Sequence, residues 1–240
     1  MTPVHPADAG RCQLVIFDCD GVLVDSERIS HQVLAEMLAE RGVAITFDEA
    51  ISRFIGASTA RCAAQLAELL GRPEADDAMR EFARRTKAAF AADLQAVAGV
   101  PELLAALAAL PLPFCVASNG NHAKMDFTLA HTGLLALFEG RRYSATDVAQ
   151  PKPAADLFLH AASRMAVPPA LCAVVEDTPT GIAAARAAGM WALGFSAMTP
   201  AHQLHAAGAH QVFTRMDELP ALLRPPSLCS SPIPGNGARP

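Results

Sequence analysis

The sequence predicts an α/β fold, a doubly wound parallel sheet with an inserted helical domain. Three observations carry this prediction. A short apolar run, Leu14–Phe17, has the length of a buried strand and ends in acidic residues. Residues 26–95 then show helical periodicity and little strand signal. From residue 97 onward, apolar runs alternate with helical patterns, which is typical of parallel strands joined by crossover helices.

The elements of the alternating region can be placed in chain order from these patterns. We predict helices near residues 100–110, 122–131, 154–165 and 181–188, and strands near residues 114–117, 142–144, 172–176 and 191–195. A final helix and a short strand complete the sheet domain by residue 223. We therefore predict a Rossmann-like core made of residues 12–24 and 97–223.

The helical insertion is predicted to form a domain of its own, residues 25–96. Apolar residues recur there at helical spacing, and glycine and proline separate the helices, at Gly42, Gly56, Gly71 and Pro73. A helical unit inserted after the first strand must fold back over the edge of the sheet, so we expect a cap above it. A helical bundle with no lid role is the alternative. The tail, residues 224–240, is rich in Pro, Ser and Gly and is predicted to be disordered.

Composition narrows the class of protein. The net charge of −5 and the lack of basic clusters argue against nucleic acid as a partner. The most apolar stretch, residues 103–117, is broken by prolines and is too short to span a membrane. The six cysteines show no CxxC spacing, and Cys19, Cys115 and Cys172 lie in or beside strand patterns. We expect a cytoplasmic monomer with no membrane partner.

Polar side chains follow the predicted strands at the point where each one ends. Asp18 and Asp20 come directly after the first strand, and Gly21 allows the chain to turn away. Ligands of open parallel sheets bind just beyond the carboxyl ends of the strands. Two carboxylates therefore lie where chemistry is expected, although an acidic turn with no function is the alternative for this pair taken alone.

Three further segments place polar residues at equivalent points. Ser118 ends an apolar run, Lys152 precedes a helical pattern, and Glu176 and Asp177 end another run. Taken singly, they have structural explanations: a helix cap, a surface lysine and acids at a helix N-terminus. Their joint occurrence favours function, and lysine is scarce, since the 19 basic residues include only Lys87, Lys124 and Lys152.

The four segments LVIFDCDGVLVDSE, FCVASNG, QPKPAADLF and LCAVVEDTPTG occur in this order. Together they resemble the four motifs of the haloacid dehalogenase superfamily of phosphohydrolases, in the branch with a helical cap after the first strand. The resemblance covers roughly residues 13–222. It implies a Rossmann-like core and a small phosphorylated molecule as the substrate.

The resemblance also implies roles for the motif residues. Asp18 would be the nucleophile that forms an aspartyl-phosphate, and Asp20 would protonate the leaving group and later activate water. Mg²⁺ would be held by Asp18, the Asp20 carbonyl and Asp177, with Glu176 as a direct or more distant ligand.

Phosphate would be bound beside these acids. Ser118 and the amides around Asn119 would donate hydrogen bonds to it. Lys152 would neutralise the attacking carboxylate and the charge that develops on the phosphoryl group.

Other activities within the superfamily are less consistent with the sequence. The dehalogenases lack the second acid of the first motif, which is Asp20 here. The sugar-phosphate mutases of the β-phosphoglucomutase type carry a cap histidine five residues after the last motif acid. Counted from Asp25, that position is Ser30, and His31 is one residue further on. A catalytically inactive binding protein is the non-enzyme alternative. We predict a Mg²⁺-dependent phosphatase.

The cap is expected to select the substrate through the loop RFIGASTAR. Arg53 and Arg61 could pair with an anionic group remote from the phosphate, and Ser58 or Thr59 with hydroxyls, unless the latter two only cap a helix. The segments SNGNHAKM, YSATDV and KPAADLFLHAA resemble, more loosely, relatives that act on 6-phosphogluconate. Ile55 departs from them, because many relatives place a basic residue there. We expect a sugar phosphate or sugar-acid phosphate.

Overall fold

The structure is a computed structural model that describes residues 12–55, 57 and 59–223 of the chain. Several sequence predictions lie outside these residues: the tail at 224–240, with its cysteine, and Ser58 of the cap loop. The side chain of Thr59 is also outside the described part. No helix in the described part is both long enough and apolar enough to cross a membrane.

In the described part of the chain, six parallel strands form one sheet in the order β3-β2-β1-β4-β5-β6. The strands are β1 (Leu14–Phe17), β2 (Phe114–Ser118), β3 (Arg142–Ser144), β4 (Cys172–Glu176), β5 (Trp191–Phe195) and β6 (Gln211–Phe213). Every residue of β1, β2, β4 and β5 is buried, as their continuous apolar runs require. The order changes direction at β1, so the predicted doubly wound sheet is confirmed.

Helices cover both faces of the sheet. The helices after the insertion are α5 (Val100–Ala108), α6 (His122–His131), α7 (Asp156–Arg164), α8 (Pro179–Ala187), α9 (Ala201–Ala206) and α10 (Leu219–Leu222). Because strand side chains alternate between faces, Val15 and Phe17 of β1 pack with α5, α6 and α10. Leu14 and Ile16 point the other way and pack with α7, α8 and α9.

The described residues of the insertion form four helices: α1 (Ser26–Glu40), α2 (Phe47–Phe54), α3 (Thr59–Leu70) and α4 (Arg72–Asp93). They share a buried cluster separate from the sheet, which includes Leu34, Leu38, Phe54 and Leu66. A capping box starts α2, because Thr46 and Glu49 each satisfy a backbone amide of the other.

The insertion leaves and rejoins the core at one place. The Asp25 amide donates to the Gln95 carbonyl, and the Val97 amide donates to the Leu23 carbonyl, both over 3.0 Å. Val24 also forms a β-bridge with Ala96. We propose that this paired crossing is the boundary between the cap domain, residues 25–96, and the core.

The cysteines among the described residues are free, and Cys19, Cys115 and Cys172 are buried as the sequence indicates. Burial raises the pKa of the Cys19 thiol well above its usual range. These three side chains therefore act as small apolar residues of the core.

Gly21 turns the chain immediately after the acidic end of β1. Its φ of +77° lies in the left-handed region, and a Cβ there would overlap the carboxylate of Asp177, the residue that follows β4. Gly42, after α1, has almost the same φ of +78° but no heavy atom within 4 Å of a Cβ position. The two glycines thus have the same backbone conformation, but only Gly21 is packed against another residue.

We predict that Gly21→Ala lowers the free energy of unfolding more than Gly42→Ala does. Both variants carry the backbone cost of a left-handed residue, about 1–2 kcal/mol. Only the first forces a buried carboxylate to move, which adds about 1–3 kcal/mol. Urea unfolding of the two variants measures the difference, and equal losses would contradict the packing of Gly21 against Asp177.

Candidate active site

The predicted site residues lie at the ends of neighbouring strands, along one edge of the sheet. β1 lies between β2 and β4, with Phe17 level with Val116 on one side and Val175 on the other. Asp18 directly follows β1, and Ser118 and Glu176 are the last residues of β2 and β4, so the three lie at the same edge of the sheet, and all three are buried. Their role as a catalytic site stays a prediction.

Lys152 lies at the centre of this group. Its Nζ donates to Asp18 Oδ1 and to Glu176 Oε1, both over 2.6 Å, and to the Ala117 carbonyl over 2.8 Å. The lysine is only 6% exposed, so these contacts replace water. Burial opposes its charge, but Asp18 and Glu176 outweigh burial and raise the pKa of Lys152.

Asn119 holds the loop that carries this lysine. The Lys152 amide donates to Asn119 Oδ1 over 3.0 Å, and Asn119 Nδ2 donates to the Lys152 carbonyl over 3.3 Å. The side chain of Asn119 is therefore engaged with the protein. This side chain helps to position Lys152, and donation to phosphate by the amides around Asn119 stays a prediction.

Asp18 has an environment that opposes its charge. Burial raises its pKa to about 7, and the charges of Glu176 and Asp20 act in the same direction, while Lys152 counteracts them. One lysine thus compensates only part of the negative charge of the cluster.

Asp177 completes the cluster. Asp18, Glu176 and Asp177 each offer one carboxylate oxygen within 4.8 Å of the others. Burial and then the charges of Glu176 and Asp18 raise the pKa of Asp177 well above its usual range. Its buried Oδ1 has no hydrogen-bond partner among the described residues. An unpaired carboxylate oxygen among excess acids fits a small cation with oxygen ligands.

Glu176 differs from Asp177 because both of its oxygens are already engaged. Oε1 accepts from Lys152, while Oε2 accepts from the amide of Thr178 over 3.2 Å and from its hydroxyl over 3.0 Å. Thr178 also caps α8 through the Gly181 amide, so this helix begins at Pro179, two residues before its predicted start. Glu176 is therefore better placed to orient Lys152 than to bind a cation directly.

Asp20 is held by two residues that were not predicted from the sequence to belong to the site. Ser26 Oγ donates to Asp20 Oδ1 over 2.7 Å, and Lys124 Nζ donates to Oδ2 over 2.9 Å. Burial opposes ionisation of Asp20, but the charge and hydrogen bonds of Lys124 and Ser26 prevail and lower its pKa. Lysine in the first turn of a helix is unfavourable, which is the signal that could have singled out Lys124 in α6.

Glu27 is a second unassigned acid beside this site. Burial raises its pKa to about 7, and the charge of Asp20 adds to the effect. Its Cγ lies 3.1 Å from the Cβ position of Gly21. The first turn of α1 thus contributes both Ser26 and Glu27 to the edge of the acid cluster.

The two predicted cap arginines both lie in helices of the insertion. Arg53 is exposed in α2 and lines a cavity of about 210 Å³ whose other lining residues are Val43, Ala44, Ile45, Glu49, Ser52 and Leu69. All of them belong to the insertion. Arg61 is exposed near the start of α3. Contact of either arginine with a substrate stays a prediction.

The chain is similar to known proteins in sequence and in fold. Residues 12–189 match the haloacid dehalogenase-like hydrolases. The chain is 32% identical over 216 residues to 6-phosphogluconate phosphatase of Escherichia coli strain K12, which covers 88% of this chain and 95% of that protein. It is 35% identical over 184 residues to a probable pseudouridine-5'-phosphatase of Drosophila melanogaster, over 73% and 78% of the two chains.

A solved structure supports the same relationship. The HAD family hydrolase of Deinococcus radiodurans R1, with bound phosphate and sodium, is 34% identical and has a TM-score of 0.76, over 89% of this chain and 96% of that one. The family match spans most of the chain, and the relatives align along nearly their whole length. The chain therefore belongs to the haloacid dehalogenase-like hydrolase family.

Proposed function

We propose that this hydrolase is a Mg²⁺-dependent phosphatase that cleaves small phosphorylated metabolites through an aspartyl-phosphate. The observation that carries the proposal is the buried contact of 2.6 Å between Lys152 Nζ and Asp18 Oδ1, with Asp20 two residues further on. A carboxylate oriented by a buried ammonium group is suited to attack phosphorus, because the ammonium group remains to neutralise the phosphoryl oxygens.

The chain's own residues account for both halves of the reaction. An Asp18 oxygen attacks phosphorus, the bond from phosphorus to the ester oxygen breaks, and Asp20, which is protonated at the start of this step, gives its proton to that oxygen. Water then attacks the phosphoaspartate while Asp20 takes up a proton, which regenerates Asp18 and releases phosphate. Ser118 and nearby backbone amides donate hydrogen bonds to the phosphoryl oxygens.

The acid cluster fits Mg²⁺, a cation that prefers carboxylate oxygens and substrate phosphates. Asp18, Asp177 and the Asp20 carbonyl would hold it, and Glu176, engaged by Lys152 and Thr178, would support the site. When bound, Mg²⁺ supplies the positive charge that lets carboxylates and a phosphate dianion share one site.

We favour hydrolysis over the sugar-phosphate mutase alternative because the cap of this chain has no histidine at the position where the mutases carry theirs. His31 is buried in α1, and its Nδ1 lies 2.7 Å from the Glu27 carbonyl, a contact in which the ring nitrogen donates. The ring is thus engaged within its own helix. Ser30, at the position where the mutases carry their histidine, has no imidazole to offer.

We predict that Asp18→Asn reduces hydrolysis of p-nitrophenyl phosphate by about 10³-fold or more, because an amide cannot replace the nucleophile. Circular dichroism should show the fold unchanged. Asp93→Asn, at an exposed aspartate of α4, is the matched control and should keep wild-type rates. Substantial turnover by Asp18→Asn would exclude Asp18 as the nucleophile.

We predict that activity is lost in excess EDTA and restored by Mg²⁺. Calorimetry with Mg²⁺ alone should show binding that Asp177→Asn weakens about tenfold or more, because that variant removes the unpaired carboxylate. Full activity in EDTA, or unchanged Mg²⁺ affinity in Asp177→Asn, would refute the metal assignment.

The substrate is proposed to be a phosphorylated sugar or sugar acid. The relationship to a 6-phosphogluconate phosphatase makes 6-phosphogluconate the first compound to test. We predict kcat/KM values for 6-phosphogluconate or a sugar phosphate at least about tenfold above those for nucleoside monophosphates. The relationship to a probable pseudouridine-5'-phosphatase makes the comparison necessary. A tenfold preference for a nucleotide over every sugar phosphate would overturn this substrate class.

A further inference from the structure

Both oxygens of the Asp20 carboxylate are held by other side chains. Ser26, the first residue of α1, donates to Oδ1, and Lys124, in the first turn of α6, donates to Oδ2. The first contact comes from the insertion and the second from the core. A carboxyl group fixed at both oxygens has one orientation instead of several.

Lys124 reaches Asp20 across Gly120, next to the predicted phosphate site. A Cβ on Gly120 would lie 3.3 Å from Ser118 Oγ, 3.4 Å from Lys124 Cδ and 3.8 Å from Asp20 Oδ2. The lysine stem, the serine hydroxyl and the held carboxylate oxygen therefore surround one small residue. The absence of a side chain at Gly120 leaves room for all three.

A contribution to folding stability does not by itself explain why position 124 is a lysine. Its side chain is 43% exposed and that of Asp20 is 17% exposed, and an ion pair with one partner this accessible adds little to folding. Lysine also opposes the dipole of α6 at this position. The contact is therefore better explained by what it does to Asp20.

We propose that Lys124 is a positioning residue that orients Asp20 toward the leaving oxygen of the substrate. This inference rests on the proposed phosphatase function. Asp20 is protonated when this step begins, and its proton passes to the leaving oxygen as the bond from Asp18 to phosphorus forms and the ester bond breaks. Lys124 keeps its own protons and holds the carboxyl group in place.

The test compares two esters with unlike leaving groups. p-Nitrophenolate leaves without a proton, whereas the alkoxide of glycerol 3-phosphate requires one. The value of kcat/KM reports steps up to departure of the leaving group, so later hydrolysis of the phosphoaspartate does not obscure the effect. The variants are Lys124→Met and Lys124→Arg, with Lys87→Met, at an exposed lysine of α4, as the matched control.

We expect Lys124→Met to lower kcat/KM about tenfold or more for glycerol 3-phosphate and less than about threefold for p-nitrophenyl phosphate. Lys124→Arg should recover most of the loss, and Lys87→Met should match the wild type on both esters. Equal losses on the two esters would overturn the inference, because they would indicate a phosphate contact or a structural role. If Lys124→Met does not fold, Lys124→Gln takes its place in the same comparison.

A second measurement asks whether Lys124 acts through Asp20. In an Asp20→Asn background, Lys124→Met should cause no further loss on glycerol 3-phosphate. Fully additive losses would contradict the inference. If the wild-type protein hydrolyses neither ester, the proposed function itself fails, whereas an unselective Lys124→Met in an active enzyme removes only the role of this lysine.

Discussion

The site depends on one buried ammonium group placed between carboxylates. Lys152 Nζ contacts Asp18 and Glu176 at 2.6 Å each, and the three side chains come from segments far apart in the sequence. Removing one partner from a buried ion pair leaves an uncompensated charge, so each partner requires the others. Asn119 secures the lysine loop, and Thr178 secures Glu176. The ends of β1, β2 and β4 and the start of α8 are therefore tied to this single charge.

The charges of the cluster do not balance within the protein. Asp18, Glu176 and Asp177 provide three carboxylates, and Lys152 provides one positive charge. With all three carboxylates ionised, three negative charges minus one positive charge leave an excess of two. Asp177 has a carboxylate oxygen without a hydrogen-bond partner among the described residues, so its negative charge is the least compensated of the three. A divalent cation there would restore neutrality. Asp18 and Asp20, two residues apart, have pKa values shifted in opposite directions: burial raises the pKa of Asp18, whereas Lys124 and Ser26 outweigh burial and lower the pKa of Asp20.

The sequence predicted most of the fold because its signals are local. The apolar runs of β2, β4 and β5 and the helical stripes of the insertion mark the elements without knowledge of distant residues. The main acids could be singled out because they stand at or shortly after the ends of β1 and β4. Lys124 and Ser26 were not predicted, because their contacts with Asp20 arise only when α6 and α1 pack beside β1. The contact of the Asn119 side chain with the lysine loop was also not predicted, because it joins residues 33 positions apart in the chain. Arg53 was inferred from its place in the segment RFIGASTAR, and the cavity that it lines lies within the insertion.

The central claim is that Asp18 becomes phosphorylated, and the most direct measurement is detection of that bond. The enzyme is mixed with substrate, quenched in acid within milliseconds, digested and analysed by mass spectrometry. The account predicts a transient phosphate on the peptide that contains Asp18, formed before phosphate is released and absent from Asp18→Asn. Release of phosphate with no phosphorylated peptide at any time, or with phosphate on another residue, would contradict it.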